Sequence, residues 1–219
     1  MTLLHRPGGV TVLFTRADSC YIDLDADCWD KDRDARNYTG TNPVVAHPPC
    51  RGWGRLSHLA KPRHDEKALG LFAVETVRRV GGVLEHPHAS KLWSAAGLPL
   101  RHELDQWGGY TILVDQGWWG HPAPKPTWVY ICGVPRYQLP PLPVQLHRAG
   151  GRTLDLPRAE REKTPPEFAK WLLLTAGMAV IPSQENSTAT STQVHAVTPS
   201  GRKSLRRASY TDLDGVLIG

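Results

Sequence analysis

Short apolar runs closed by polar residues, Gly or Pro alternate along this chain with two longer stretches of helical period. Residues 10–14, a β-branched and aromatic run after Gly8 and Gly9, read as a first strand. Residues 27–30 end a second, followed by a charged helical turn over 32–36. Val44, Val45 and Ala46 form a third apolar run. The clearest helix spans 65–80, where Leu69, Phe72, Ala73, Val77 and Val80 recur on one face. Asp65 and Glu66 suit its positive end, Arg78 and Arg79 its negative end, and Gly81-Gly82 stops it. Strands follow at 83–87, 110–115 and 127–133. A second helix runs from Thr164 to near Gly177, with Thr164 and Glu167 spaced as a capping box and proline in its first turn. Residues 135–157 are Pro-rich and predict an irregular excursion. Alternation of strands and helices predicts an α/β fold with a largely parallel sheet. The domain is expected over residues 1–180, and the polar, Ser/Thr-rich remainder, 181–219, as a disordered tail.

Composition narrows the class. A hydrophobic share of 40% supplies a core, yet no apolar run approaches the ~18 residues that span a bilayer. The N-terminus lacks the apolar segment of a signal peptide. Four scattered cysteines, Cys20, Cys28, Cys50 and Cys132, do not make a disulfide scaffold, so the thiols are expected reduced and the protein intracellular. The net charge of +5 is compatible with a polyanionic partner without requiring one.

Candidate chemistry centres on Ala46-His47-Pro48-Pro49-Cys50-Arg51-Gly52. Two prolines fix φ twice and remove two backbone donors, giving a stiff exit from the strand. They place Cys50 past the carboxyl end of a strand, where α/β sheets hold ligands. An isolated cysteine is more often a buried hydrophobe. Glu85 ends the next strand, in Leu84-Glu85-His86-Pro87, and its ordinary reading is a solvated or salt-bridged carboxylate. His47 and Cys50 give only half of a zinc pattern, with no Cys-x-x-Cys to complete it, so no metal is expected.

The order strand, Pro-Pro-Cys, helix, strand, Glu-x-Pro, strand, turn, strand ending in Gly133 resembles the catalytic half of the cytosine-5 DNA methyltransferases over about residues 10–180. Each motif is weak alone; their order and spacing are more specific. The resemblance implies a Rossmann-like methyltransferase three-layer sandwich, reduced in size, in a minimal member of phage type. It implies Cys50 as nucleophile and Glu85 as its partner carboxyl, with S-adenosylmethionine near Phe14, Asp30 and Pro48. It also implies DNA or a cytosine nucleotide held by Pro49, Arg51, Trp53, Arg55, His86 and Lys125. Chemically, a thiolate adding to carbon 6 of cytosine turns carbon 5 into a nucleophile, while a carboxyl kept protonated by burial serves ring nitrogen 3.

The departures are local. The loop after the first strand, Thr15-Arg16-Ala17-Asp18-Ser19, has no glycine to let a cofactor approach the backbone. The family's Gln and Arg-x-Arg are replaced by Ala123, Lys125 and Thr127. The stretch between Asp30 and Cys50 is short enough that the third strand is expected to be missing. No insert for target recognition follows Gly133, which suits a protein partner that supplies it. The alternative is a catalytically silent relative that binds nucleic acid or a protein through the same cleft. Trp118 and Trp119 are expected to pack rather than to stack on bases.

Overall fold

A computed structural model of the protein describes residues 9–54, 57–58, 60–144 and 155–181. Its strands are β1 (Thr11–Leu13), β2 (Asp27–Trp29), β3 (Val44–Ala46), β4 (Gly82–Pro87), β5 (Tyr110–Asp115) and β6 (Pro126–Cys132). Its helices are α1 (Cys20–Asp23), α2 (Glu66–Val80), α3 (Leu92–Ala95), α4 (Arg158–Glu162) and α5 (Pro166–Gly177). The strands form one mixed sheet in the order β2-β1-β3-β4-β6-β5. β2, β1, β3 and β4 are parallel, and β6 runs antiparallel to both β4 and β5. Between β2 and β3 the chain makes one 3-10 turn, Ala35–Asn37, and no strand.

Alternation along the strands builds two cores. Leu13, Val44, Ala46, Leu84, Tyr130 and Cys132 meet Ala73, Val74, Val77 and Val80 of α2 on one face. Val12, Val45, Val83, Val129 and Ile131 meet Phe168, Ala169, Leu172 and Ala176 of α5 on the other. The short β-branched runs are therefore continuous, because both faces of the parallel strands are covered. Among the described residues no helix is long and apolar enough to cross a membrane.

Local chemistry departs from expectation at several ends. α5 has Pro165 at its N-cap with no side-chain cap bond, so the Thr164–Glu167 capping box does not form. Rigid Pro165 and Pro166 already set the entry, and a proline at the first position has no N–H to cap. The expected helical turn at 32–36 is displaced to the 3-10 turn, where Asp34 at φ 51° caps Arg36 N. Phe72 is only partly buried while Val74 enters the core. Ile181, expected to begin the tail, packs against the core beside Val180, whose N–H bonds Gly133 O at 2.8 Å. The rest of the tail lies outside the described residues.

Gly82 joins α2 to the sheet. Its φ is +116°, and a Cβ there would overlap the carbonyl of Val44, its neighbour across the β3–β4 ladder. Gly82→Ala is expected to cost more than about 3 kcal/mol in urea unfolding, combining backbone strain with loss of strand pairing. A loss below about 1 kcal/mol would contradict this account of the β3–β4 contact.

Candidate functional site

Register assembles the site. Leu13, Ala46 and Leu84 lie level across β1, β3 and β4. Phe14 and His47, which leave the parallel ladder here, therefore stand beside Glu85, the residue at which β4 parts from β3 and continues paired with β6 alone. His47 N bonds Leu13 O at 3.1 Å, and His47 Nδ1 lies 3.0 Å from Glu85 Oε2. β1 neighbours β2 on one side and β3 on the other, so the carboxyl end of β1 is the sheet's switch point. A cleft of about 780 Å³ opens there, lined by Phe14, His47, Pro48, Pro49, Cys50, Glu85, His86, Lys125 and residues of α4. That volume falls in the ~300–1,000 Å³ range of small-molecule sites.

Pro48 is buried, Pro49 half-buried and Cys50 exposed at the cleft. The carbonyl of Cys50 accepts from Trp53 N at 3.0 Å and Gly54 N at 2.8 Å, so the thiol begins a tight turn. Two anchors hold that turn. Lys91 N donates to Trp53 O at 2.8 Å, and Arg51 pairs with Glu66, which is wholly buried at the start of α2. Glu66 is thus a clamp on the cysteine loop rather than a surface helix-end charge.

Glu85 is the electrostatic centre. Its burial opposes ionisation, but the hydrogen bond with His47 and the charge of Lys125 act against burial, and the carboxyl lies below the ordinary value. Gln116 Nε2 donates to its other oxygen at 3.0 Å and to Thr127 Oγ1 at 3.0 Å. The expectation of a carboxyl kept protonated by burial is therefore reversed: resting Glu85 is a carboxylate. Although the residue is exposed at the cleft mouth, the cleft walls desolvate the Cys50 thiol, and this and the nearby charge of Glu85 push it up, with Lys125 acting in the opposite direction. Burial lowers Lys125, which Glu85 and Cys50 partly offset, and its Nζ donates to Lys163 O at 2.9 Å. Cys50 is consequently a thiol at rest, and it must lose its proton when it reacts.

The remaining predicted residues divide. His86 lines the cleft but is 1% exposed, and burial lowers it to about 4, so it is a neutral imidazole at pH 7. Arg51 is committed to Glu66. Trp53 does not line the cleft: it is buried in the α2 core, against Gly70 and beneath Lys67. Gly70 leaves the space its indole fills. Arg55 lies outside the described residues. Trp119 packs on Phe168 and Trp171, and Trp118 on Trp119. Sequence reasoning assigned no role at Glu85 to His47, and none at all to Tyr21 or Gln116. The available signal for His47 was its position, the first polar residue after an apolar strand, as Glu85 is in β4. Among the described residues no three His, Cys, Asp or Glu side chains are grouped as for a metal ion.

Phe14, Asp30 and Pro48 do line one continuous cleft. The loop between them does not offer S-adenosylmethionine a backbone cradle. Phe14 adopts φ 64°, a conformation usual for glycine, and Thr15 N is spent on Trp29 O at 3.1 Å. Arg16 reaches across to Glu162 of α4 at 3.2 Å, and Asp30 Oδ1 caps the backbone N–H groups of Asp32 and Arg33. The residues present do not fit that cofactor at this loop.

No family model, no curated protein and no solved structure matches this chain.

The opposed fields at Cys50 are measurable in the ligand-free protein. Alkylation by iodoacetamide, followed at the Cys50 peptide by mass spectrometry, is expected to rise with pH with a midpoint above the ~8.5 of a free thiol. Glu85→Gln moves the midpoint down and Lys125→Met moves it up. A midpoint below that of a free thiol, or no response to either change, would contradict the charge arrangement.

Proposed function

We propose that the protein is a cytosine-modifying enzyme of the cytosine-5 DNA methyltransferase type, acting on carbon 5 through a covalent Cys50 adduct. The observation that carries this reading is the convergence of Cys50, beyond the end of β3, and Glu85, where β4 parts from β3, on one cleft beside Lys125. The order of strands and helices along the chain, with one 3-10 turn and no strand between β2 and β3, supports the same reading. Fold alone does not assign an activity, so the site bears the argument.

The resting protonation states suggest how addition proceeds. The S–H bond of Cys50 breaks and its proton passes to the Glu85 carboxylate. The sulfur forms a bond to carbon 6 of cytosine. The carbon 5–carbon 6 π pair moves to carbon 4–carbon 5, and the carbon 4–nitrogen 3 pair moves onto nitrogen 3. Glu85 then gives its proton to nitrogen 3 and is a carboxylate again. The step is neutral overall, needs no external acid, and leaves carbon 5 nucleophilic. Lys125 stabilises negative charge as it develops on sulfur. A duplex substrate has to present its base flipped out of the stack. DNA and a cytosine nucleotide are both substrates of this class, and target recognition by a protein partner fits the compact chain. S-adenosylmethionine is the donor that the resemblance implies, while the Thr15–Ser19 loop argues for testing other electrophiles.

The alternative, a silent relative that binds nucleic acid or a partner, is favoured by that loop; within this alternative, cations already engaged leave less free charge for phosphates and favour a protein partner. Arg16 pairs with Asp18 and Glu162, Arg36 with Asp34, Arg51 with Glu66, and Arg158 with Glu162.

In the adduct, nucleophilic carbon 5 takes a deuteron from solvent and gives up its original proton to a base before the thiol is expelled, so the test needs no donor. Cytosine in mononucleotides, single strands and duplexes incubated in heavy water is expected to gain deuterium at carbon 5. Cys50→Ser should abolish the gain, and Glu85→Gln should slow it by at least about 100-fold, the lower range for a lost general acid–base group. Absence of exchange on all three substrates would leave the binding reading.

A further inference from the structure

Glu85 faces the cleft with one side and a buried hydrogen-bonded chain with the other. Tyr21, on α1, is 1% exposed, and its hydroxyl lies 2.8 Å from His47 Nε2. Burial drives the phenol well above its ordinary value, with the charges of Cys20, Glu85 and Cys28 adding to the effect. The group therefore stays O–H and needs an acceptor, which His47 Nε2 provides. With Nε2 accepting, the ring proton sits on Nδ1 and donates to Glu85 Oε2 at 3.0 Å. Placing a proton on Nε2 would strip the Tyr21 O–H of that acceptor, a costly state for a buried donor. His47 and Glu85 are themselves only 14% and 12% exposed at their side chains, so water does not compete freely.

We propose that Tyr21, His47 and Glu85 form a relay in which His47, fixed as the Nδ1–H tautomer by Tyr21, is the positioning residue that aims the free lone pairs of Glu85 into the cleft to receive the Cys50 proton. Gln116 completes the clamp from the far side by donating to Oε1. Two donors from different elements thus fix the carboxylate plane, and the carboxylate's remaining acceptor capacity is left for the thiol and the substrate. The titratable groups around this chain are Cys20 and Cys28 near Tyr21, His86 beside Glu85, Cys50 and Lys125 in the cleft, and Glu162 across it. The relay's part in catalysis rests on the cytosine reading above; its geometry does not.

The sign of its effect is fixed. Glu85 must be ionised to take the thiol proton, and the His47 donor favours that form. Removing the donor moves the Glu85 titration up, and with it the acid limb of any rate profile.

The experiment uses the full chain without ligand, labelled with nitrogen-15 in histidine. Long-range proton–nitrogen spectra are expected to show His47 protonated at Nδ1 and bare at Nε2. Tyr21→Phe should release the ring into a tautomer mixture while the remaining spectrum stays folded. Carbon-13 titration of Glu85 should move upward in His47→Gln and stay near wild type in His47→Asn, whose amide nitrogen replaces Nδ1. An Nε2–H ring in the wild type, an unchanged ring in Tyr21→Phe, or equal Glu85 titrations in the two His47 variants would overturn the proposal. Deuterium exchange at carbon 5 is read in parallel, with its acid limb displaced upward in His47→Gln only. A relay that passes the spectroscopic tests in a protein that exchanges nothing refutes the cytosine reading and leaves the relay standing. Exchange without the tautomer does the reverse.

Discussion

The site depends on one alignment: Leu13, Ala46 and Leu84 lie level across three parallel strands. Side chains alternate along a strand, so a slip of one residue would send His47 and Glu85 to opposite faces. The same register sets where Pro48 and Pro49 leave the sheet, and hence where Cys50 stands. It is enforced by the two cores, since each of these strands buries residues toward both α2 and α5. The cost of moving the site is therefore the cost of repacking the sheet. Gly82 belongs to the same constraint, because only a residue without Cβ lets β4 approach Val44.

Around that alignment charge is managed by pairing. Glu66 is buried and held by Arg51, which ties the cysteine turn to α2. Glu85 is buried and held by His47 and Gln116. The two carboxylates look alike in sequence but do different work. One fixes a loop; the other keeps open acceptor capacity toward a cleft. A thiol pushed up near a carboxylate pushed down favours the thiol and the carboxylate at rest, so the proposed proton transfer waits for a substrate that draws charge off the sulfur. The arrangement protects Cys50 from adventitious chemistry at rest.

The two long helices were legible from their helical period, and the strands from short apolar runs closed by Gly, Pro or polar residues. That no strand lies between β2 and β3 was legible from the short stretch between Asp30 and Cys50. α1 and α3, of four residues each, were not, since so short a segment has no period to read. The capping box failed because two prolines had already fixed the helix entry. In the candidate site, Cys50, Glu85 and Lys125, singled out from order and spacing, line one cleft. Their protonation was not legible, because burial and hydrogen bonding act oppositely on Glu85 and only the partners decide which wins. Tyr21 and Gln116 reach the site from α1 and from beyond β5, contacts of long sequence separation that no local pattern encodes. Trp53 was misplaced for a similar reason: its space is made by Gly70 on a neighbouring helix.

The claim on which all of this turns is that Cys50 adds to carbon 6 of a cytosine ring. Oligonucleotides and nucleotides carrying 5-azacytosine test it directly, because nitrogen in place of carbon 5 makes carbon 6 more electrophilic and requires no donor. Peptide mapping by mass spectrometry is predicted to find the azacytosine mass on the peptide bearing Cys50. That adduct should be absent in Cys50→Ser. No adduct on duplex, single-stranded or mononucleotide probes, or an adduct on a cysteine other than Cys50, would contradict the account.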